Sequence, residues 1–344
     1  MREEILIGEP YFPEVLQEKN RTVLPIFKCF TSSLGGVLRS IGYGAELDLM
    51  LCRNLCFYWS CSDLGVLFGC DIHPILEDLN DIDNVGITLV PQGDGDTALK
   101  KIKADLLRGI PQVVNVDEYY VPCYMGYRKV HNFHTSLLVG LGEQSIYLND
   151  LGTVNRIQID DFLSSIAPTN FSLYEYHLPP KKLIYSEEVL LTLISRNISY
   201  GMLETKLTVR GKECLSGIKG IRELASDLAS PPSNQKLRSP EILARLGTKS
   251  YDILVQRYWH QAFLHAIRLI NGPNDLLTKG TELLKDIVRD WQIIKNMFHK
   301  ASVLKSDEIV QRISRKLINV ADVEAEFFST CNRFLEAGNG TEKT

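Results

Sequence analysis

Apolar residues recur three and four positions apart in the early part of the chain, between residues 27 and 68. This stretch is rich in small residues and contains no proline, so the spacing predicts buried helices. The first helix is expected to begin just after Cys29 and to end near Ile41, where nearby glycines stop it. A second helix is expected over 47–59.

The period changes after residue 86, where short β-branched runs replace the helical spacing. These runs predict strands at 87–90, 112–116, 135–141 and 145–150. Only a three-residue, glycine-containing turn separates the last two, which predicts a hairpin. The helical period returns elsewhere in the chain and predicts helices over 97–107, 187–204, 276–300 and 310–327.

The two periods divide the chain after Pro179-Pro180, where the strand signal fades. Residues 1–180 are therefore expected to form an α+β domain with helices packed on an antiparallel sheet. Residues 181–344 are expected to form an all-α domain. The length of 344 residues suits two domains of ordinary size.

Composition narrows the class of protein. The chain is 44% hydrophobic and 23% charged, which excludes disordered, collagen-like and coiled-coil proteins. The acidic start MREEILIGEP does not resemble a secretory signal, and no stretch approaches the roughly 18 apolar residues of a membrane span. A cytoplasmic location with reduced cysteines is therefore expected. No basic run with interleaved aromatic residues indicates nucleic acid, and a membrane partner is not expected either.

Charge is distributed unevenly along the chain. Residues 181–344 contain 25 Lys and Arg against 19 Asp and Glu, a net +6, whereas residues 1–180 contain 13 against 23, a net −10. This asymmetry indicates either two domains with different binding surfaces or an ordinary scatter of solvated charges.

A cysteine, a histidine and an aspartate occur in an order that suits nucleophilic catalysis. Cys29 is expected at the start of a helix, where unpaired N–H groups and the helix dipole stabilise a thiolate and can hold an oxyanion. His134 enters the strand at 135–141 and Asp150 ends its hairpin partner, so both are expected at one end of the sheet. The carboxylate would orient the imidazole in a Cys-His-Asp triad. The alternative is a buried cysteine that packs as a small hydrophobic residue.

Two other groups of residues have candidate chemistry. His131 is a second candidate base, but it precedes the predicted strand and is expected in a loop. Four cysteines lie close together in sequence, but without the CxxC spacing that places two thiolates on one metal ion, so no metal site is expected. These cysteines are Cys52, Cys56, Cys61 and Cys70.

Several segments resemble a known family. The segments PIFKCFTSSLGGVLRSIGYG, GIPQVVNVDEYYVPCYMGYRKVHNFHTSLLVGL and SIYLND are similar to the N-terminal domain of the butirosin biosynthesis protein H family. That domain belongs with papain-like, transglutaminase and bacteriocin-peptidase type cysteine enzymes. In the second half, GIKGIRELASDL and GTKSYDILVQRYWHQAFLHAI resemble the helical domain that accompanies it.

The resemblance implies an acyltransferase, or amide synthase, of antibiotic-like secondary metabolism. Such enzymes move an acyl group from the 4′-phosphopantetheine arm of an acyl carrier protein to an amine, and need no other cofactor. The resemblance maps the nucleophile to Cys29, the base to His134 and the orienting acid to Asp150. Papain-like enzymes also place a glutamine shortly before the cysteine as an oxyanion donor, whereas the nearest upstream amides here are Asn20 and Gln17.

Binding sites for both substrates follow from the same resemblance. Asp117 could pair with the ammonium of the acceptor, with Tyr119 beside it; the alternatives are a solvated acid and a packing tyrosine. An acidic carrier protein is expected to dock on the basic second half, at Arg245, Lys249 and Arg257. A homodimer is left open.

Two other functions would use the same framework. A cysteine peptidase or thioesterase would transfer the acyl group to water through the same triad. A papain-like binding module would have no catalytic activity and would present a partner protein.

Overall fold

The hairpin expected over 135–150 is present in the structure, a computed structural model. The structure describes residues 5–13, 16, 29–62, 65–70, 73–150, 152–179, 183–202, 206–209, 212–230 and 237–340. The helices are, in chain order, α1 (Cys29–Ser40), α2 (Leu47–Leu51), α3 (His73–Asp81), α4 (Gly95–Leu107), α5 (Ile159–Ile166), α6 (Glu187–Met202), α7 (Gly217–Ala229), α8 (Pro240–Asn271), α9 (Asp275–Leu304) and α10 (Asp307–Gly340). The strands are β1 (Ile5–Leu6), β2 (Tyr58–Ser62), β3 (Gly65–Gly69), β4 (Gly86–Val90), β5 (Gln112–Asp117), β6 (Phe133–Leu141), β7 (Ser145–Asp150), β8 (Thr153–Gln158), β9 (Leu173–His177), β10 (Lys206–Val209) and β11 (Lys212–Ser216).

The chain is mixed α+β with antiparallel sheets and a helical C-terminal region, as the two sequence periods predict. The helices expected over 97–107, 276–300 and 310–327 are confirmed as α4, α9 and α10, and the last two are longer than predicted. No helix in the described part of the chain is both long and apolar enough to cross a membrane.

Polar caps set the start of three of these helices. The side chain of Asp94 accepts a hydrogen bond from the Thr97 N–H at 2.8 Å before α4. Ser239 caps α8 through the Ile242 N–H, and Asn274 caps α9 in the same way. Each cap satisfies a backbone donor that the first turn of a helix leaves without a partner.

The described residues divide into two units. The first unit lies within 1–51 and 76–183, and the second within 52–75 and 184–344. The single boundary expected after residue 180 lies within three residues of the observed boundary after 183. The larger difference is that segment 52–75 belongs to the second unit. With this segment (net −1) in the second unit and residues 181–183 (net +2) in the first, the units have net charges of −7 and +3. The charge contrast is therefore smaller than the sequence division indicates.

Segment 52–75 also corrects two predictions of secondary structure. The helix expected over 47–59 ends at Leu51, and the aromatic Tyr58 and Trp59 begin β2 instead. This strand pairs with both β3 and β11 in an antiparallel sheet of order β10-β11-β2-β3. Residues 181–344 are not all-α, because they contain the strands β10 and β11, and strands from about 150 positions earlier in the chain complete their sheet.

The first unit is built on a sheet in which β6 is central. Strand β7 pairs along one edge of β6, while β5 and β1 share the other edge, and β8 extends the sheet beyond β7. Side chains alternate across a strand, so the even-numbered residues of β5 and β7, and of β6 as far as Leu138, face one side; a β-bulge shifts the alternation in β6 after Leu138. That face packs against α4 and α5 through a buried core that includes Val114, Val116, Leu138, Leu148, Ile102 and Phe162.

Helix α1 packs closely on the opposite, odd-numbered face of the sheet. A Cβ atom at Gly36 would lie 2.6 Å from the Glu9 carbonyl oxygen and 2.7 Å from Leu137 Cδ2. Only glycine fits this contact, so the small residues of α1 allow the helix to approach β6.

Helix α1 and strand β6 run in the same direction. The path of segment 7–11, which lies alongside both elements, shows this. The Ile7 N–H donates to the Val139 carbonyl at 2.7 Å, and the Tyr11 N–H donates to the Ser32 carbonyl at 2.8 Å. Between these bonds, Glu9 lies against the middle of both elements. The segment therefore passes toward the start of β6 and the start of α1 together, so both elements begin at the same end of the sheet.

Asp48, in the first turn of α2, makes the stability of the first unit dependent on pH. Its Oδ1 accepts a hydrogen bond from the Tyr11 hydroxyl, and burial raises the pKa of Asp48 to about 7. The folded state therefore keeps a proton that the unfolded chain loses near pH 4. As pH rises from about 4 to about 7, we expect this residue to lower the free energy of unfolding by at most about 4 kcal/mol.

Urea titrations followed by circular dichroism at pH 5 and pH 8 measure this effect. In Asp48→Asn the difference between the two pH values is expected to shrink, whereas the exposed Asp160→Asn should leave it within about 0.5 kcal/mol. An unchanged pH dependence in Asp48→Asn would contradict the prediction.

Candidate functional site

The structure brings His134 and Asp150 together at the end of the central sheet. Strands β6 and β7 pair with Leu137 opposite Asn149, which places the two titratable side chains on the same, even-numbered face. His134 Nε2 lies 3.0 Å from Asp150 Oδ1, and the two side chains are 23% and 18% exposed. Among the described residues, His134 Nδ1 has no hydrogen-bond partner. A carboxylate on Nε2 favours the tautomer in which Nδ1 is free to accept a proton.

Tyr124 packs against the imidazole from the loop before β6. Its ring centroid lies 4.7 Å from that of His134, at an interplanar angle of 47°. Its hydroxyl hydrogen bonds Ser136, two residues further along the same face of β6. Burial, and secondarily the charge on Asp150, raise the pKa of Tyr124 above its ordinary value, so the hydroxyl stays protonated. These contacts restrict the orientation of the His134 ring.

Cys29 is the first residue of α1 and is half-buried. A chain of contacts links the residue after it to the neighbourhood of the histidine. The Phe30 ring lies 5.5 Å from the Tyr174 ring, and the Tyr174 hydroxyl accepts from Asn115 Nδ2 at 3.2 Å. Asn115 Oδ1 in turn accepts from Thr135 Oγ1 at 2.7 Å. The start of α1 and the start of β6 are thus connected through side chains.

Cys29 and His134 lie at the same end of the sheet but on opposite faces of it. His134 lies on the even-numbered face, whereas α1 packs on the odd-numbered face. From the contact between Gly36 and Leu137, Cys29 lies about 10 Å back along the helix, and His134 lies about 10 Å back along the strand. Cys29 and His134 are therefore at about the same height along the strand direction. No hydrogen bond joins them in the described part of the chain.

Asp117 is a buried acid whose two carboxylate oxygens have partners in the described part of the chain. It is 2% exposed, so it is not a solvated acid. Its Oδ2 lies 2.7 Å from His131 Nδ1, and its Oδ1 accepts from the Tyr119 N–H at 3.1 Å. Tyr119 stacks on the His131 ring, with centroids 4.3 Å apart and an interplanar angle of 21°. Both carboxylate oxygens are engaged, so an ammonium would have to compete with His131 for Asp117.

The residues expected to dock a carrier protein do not form one exposed group. Arg257 is 2% exposed and ion-paired with Glu324, which corrects its assignment as a docking residue. Arg245 is exposed, and Lys249 is exposed but bonded to Asp252 at 3.0 Å. A charge count along the sequence does not distinguish the buried face of α8 from its exposed face.

Sequence reasoning missed the role of Tyr124 and the bond between His131 and Asp117. The signal for that bond is in the predicted strands: the β5 and β6 register pairs Asp117 with Phe133, two residues from His131. The candidate oxyanion amides Asn20 and Gln17 lie outside the described residues. Within those residues, no group of three or more His, Cys, Asp and Glu side chains could hold a metal ion.

A comparison with models of known protein families finds no match for this chain, and a comparison with curated proteins finds no significant similarity.

Proposed function

We propose that this chain is a papain-like cysteine acyltransferase that moves an acyl group from a carrier-protein thioester to an amine. The observation that supports this most directly is the His134–Asp150 pair, placed at the end of the sheet where the helix headed by Cys29 also begins. A nucleophile at the first turn of a helix, followed by a base and its orienting acid on paired strands, is the order that the resemblance implies. The carrier protein and the place of the reaction in secondary metabolism rest on that resemblance alone.

The first half-reaction forms an acyl-enzyme. His134 Nδ1 takes the proton of the Cys29 thiol, and the sulfur attacks the thioester carbonyl carbon. Backbone N–H groups of the first turn of α1 stabilise the oxyanion. The bond from carbon to the pantetheine sulfur then breaks, and the imidazolium returns its proton to the leaving thiolate. No hydrogen bond joins the thiol and the imidazole among the described residues, and catalytic hydrogen bonds commonly tighten only when substrate binds.

The second half-reaction releases the product. An amine attacks the carbonyl carbon of the acyl-enzyme, His134 accepts a proton from the attacking nitrogen, and the bond to Cys29 breaks. The proton then returns to the Cys29 sulfur, which regenerates the thiol. Because an amide is more stable than a thioester, this transfer needs no further source of energy.

Intact-mass spectrometry tests the nucleophile. The purified chain is incubated with butyryl-N-acetylcysteamine, a small thioester, and separately with a butyryl-loaded acyl carrier protein. We expect a covalent butyryl adduct that Cys29→Ala abolishes and that Cys123→Ala, which removes an exposed thiol of the same unit, retains. An adduct that survives in Cys29→Ala would refute the assignment.

The fate of the adduct distinguishes transfer from hydrolysis. Adding amines to the acyl-enzyme is expected to yield amides at rates that rise with amine concentration. Free butyrate at a rate independent of the amine would indicate a thioesterase or peptidase instead. Absence of any adduct with both donors would indicate a binding module.

A further inference from the structure

A second histidine–aspartate pair lies at the same end of the sheet as the proposed triad. We propose that His131, held by Asp117, is a second catalytic base, which takes the proton from the ammonium of the acceptor and passes it to solvent. This inference rests on the proposed function, since it assigns a role in the amine-dependent half-reaction.

The contacts of the His131–Asp117 pair leave one ring nitrogen of His131, Nε2, free to accept a proton. Both Asp117 oxygens accept hydrogen bonds, one of them from His131 Nδ1 at 2.7 Å, which places the ring proton on Nδ1. Stacking on Tyr119 at 4.3 Å holds the plane of the ring. Among the described residues, His131 Nε2 has no hydrogen-bond partner. An oriented, unprotonated Nε2 is the form that a general base requires.

The pair lies on the side of the sheet where α1 packs. Asp117 and Asn115 are two residues apart in β5 and so face the same side. Asn115 bonds the Tyr174 hydroxyl, and the Tyr174 ring contacts Phe30 at the start of α1. Through Asp117, His131 is therefore held on the face of the sheet where α1 packs. His134 lies on the opposite face.

The acceptor nitrogen must lose two protons in this half-reaction, and each could be taken by a different histidine. An alkylammonium must lose one proton before it can attack and a second proton after the new C–N bond forms. The overall reaction of an alkylammonium with the acyl-enzyme yields amide, free Cys29 thiol and one proton released to water. His131 would take the first proton and release it to solvent. His134 would take the second and return it to the Cys29 sulfur as the C–S bond breaks.

Exposure supports this division. The His131 side chain is 63% exposed, so water can remove its proton, whereas His134 is only 23% exposed. A sheltered imidazole suits transfer to and from the thiol, because water near a thioester would hydrolyse it.

The test compares two amines that differ in charge. Propylamine is protonated at pH 7 and needs the first deprotonation, whereas methoxyamine is neutral and does not. His131→Asn removes Nε2 but retains an amide N–H near the position of Nδ1, so the bond to Asp117 is preserved. We expect this variant to slow transfer of butyrate from the acyl-enzyme to propylamine by about 10- to 100-fold and to leave transfer to methoxyamine unchanged.

The matched control is His177→Asn, which removes another exposed imidazole of the first unit and should change neither rate. Acyl-enzyme formation from butyryl-N-acetylcysteamine is measured in the same variants, and His131→Asn should leave its rate unchanged. Equal losses with both amines, slower acyl-enzyme formation, or no loss with propylamine would each overturn the assignment.

These outcomes separate the inference from the proposed function. If the wild-type chain forms no acyl-enzyme on Cys29, the proposed function fails, and the role of His131 fails with it. If the acyl-enzyme forms and transfers to propylamine equally well in His131→Asn, only the role of His131 fails.

Discussion

Replacing Asp150 by asparagine is expected to slow acyl-enzyme formation by about 10³- to 10⁴-fold without unfolding the first unit. In the wild-type chain the carboxylate accepts the Nε2 proton of His134 at 3.0 Å, which leaves Nδ1 unprotonated for the thiol. An asparagine amide in the same place can donate to Nε2, which moves the ring proton to Nδ1. The imidazole would then present a proton where the reaction needs a base.

Single-turnover measurements with butyryl-N-acetylcysteamine give the rate, and circular dichroism shows whether the fold is retained. The control is Asp160→Asn, which changes an exposed acid at the start of α5 and should alter the rate less than about twofold. A loss of less than about tenfold in Asp150→Asn would mean that Asp150 does not set the tautomer of His134.

Replacing Glu324 by glutamine is expected to cost the second unit about 3–5 kcal/mol of unfolding free energy. Glu324 accepts two hydrogen bonds from Arg257 at 3.1 Å each and one from Trp291 Nε1 at 2.9 Å, and both charged side chains are buried. Burial lowers the pKa of Arg257, but the Glu324 carboxylate raises it, and the net shift is upward. Removing the carboxylate leaves a buried guanidinium without a counter-charge.

Tryptophan fluorescence during urea unfolding measures this effect selectively, because all three tryptophans are in the second unit. The exposed Glu326→Gln, which breaks a surface pair with Lys279, should cost less than about 1 kcal/mol. The double variant Arg257→Met with Glu324→Leu should lose less stability than Glu324→Gln, because neither charge of this buried pair remains. If the double variant were less stable than the single one, the pair would be a net source of stability.

The position of His134 and Asp150 at one end of the sheet could be predicted because the hairpin is local. Strands separated by only a short turn pair with each other, so the start of β6 and the end of β7 come together. Their shared face could not be predicted, because the register at the turn, with Leu141 opposite Ile146, would place them on opposite faces, and a β-bulge between Leu138 and Gly140 shifts it. The long helices α9 and α10 were predictable for a similar reason, since each has an apolar face with a continuous helical period.

The bond between His131 and Asp117 could not be predicted with the same ease. It depends on the pairing of β5 with β6 and on the path of the loop between them, which the Glu118 N–H closes onto the Asn132 carbonyl at 2.8 Å. The position of Cys29 at this end of the sheet depends further on the close contact at Gly36. None of these contacts produces a period in the sequence.

The sequence by itself determined the elements with a clear period, such as α4, α9, α10 and the β6–β7 hairpin, and the order of cysteine, histidine and aspartate along the chain, because periodicity and turns act over a few residues. The tertiary structure alone decided that β2 and β3 join a sheet of the second unit, that Arg257 is buried against Glu324, and that a second His–Asp pair lies beside the first. These features depend on which surfaces remain to be buried once the elements have formed. That choice is made between residues far apart in sequence, where no local pattern records it.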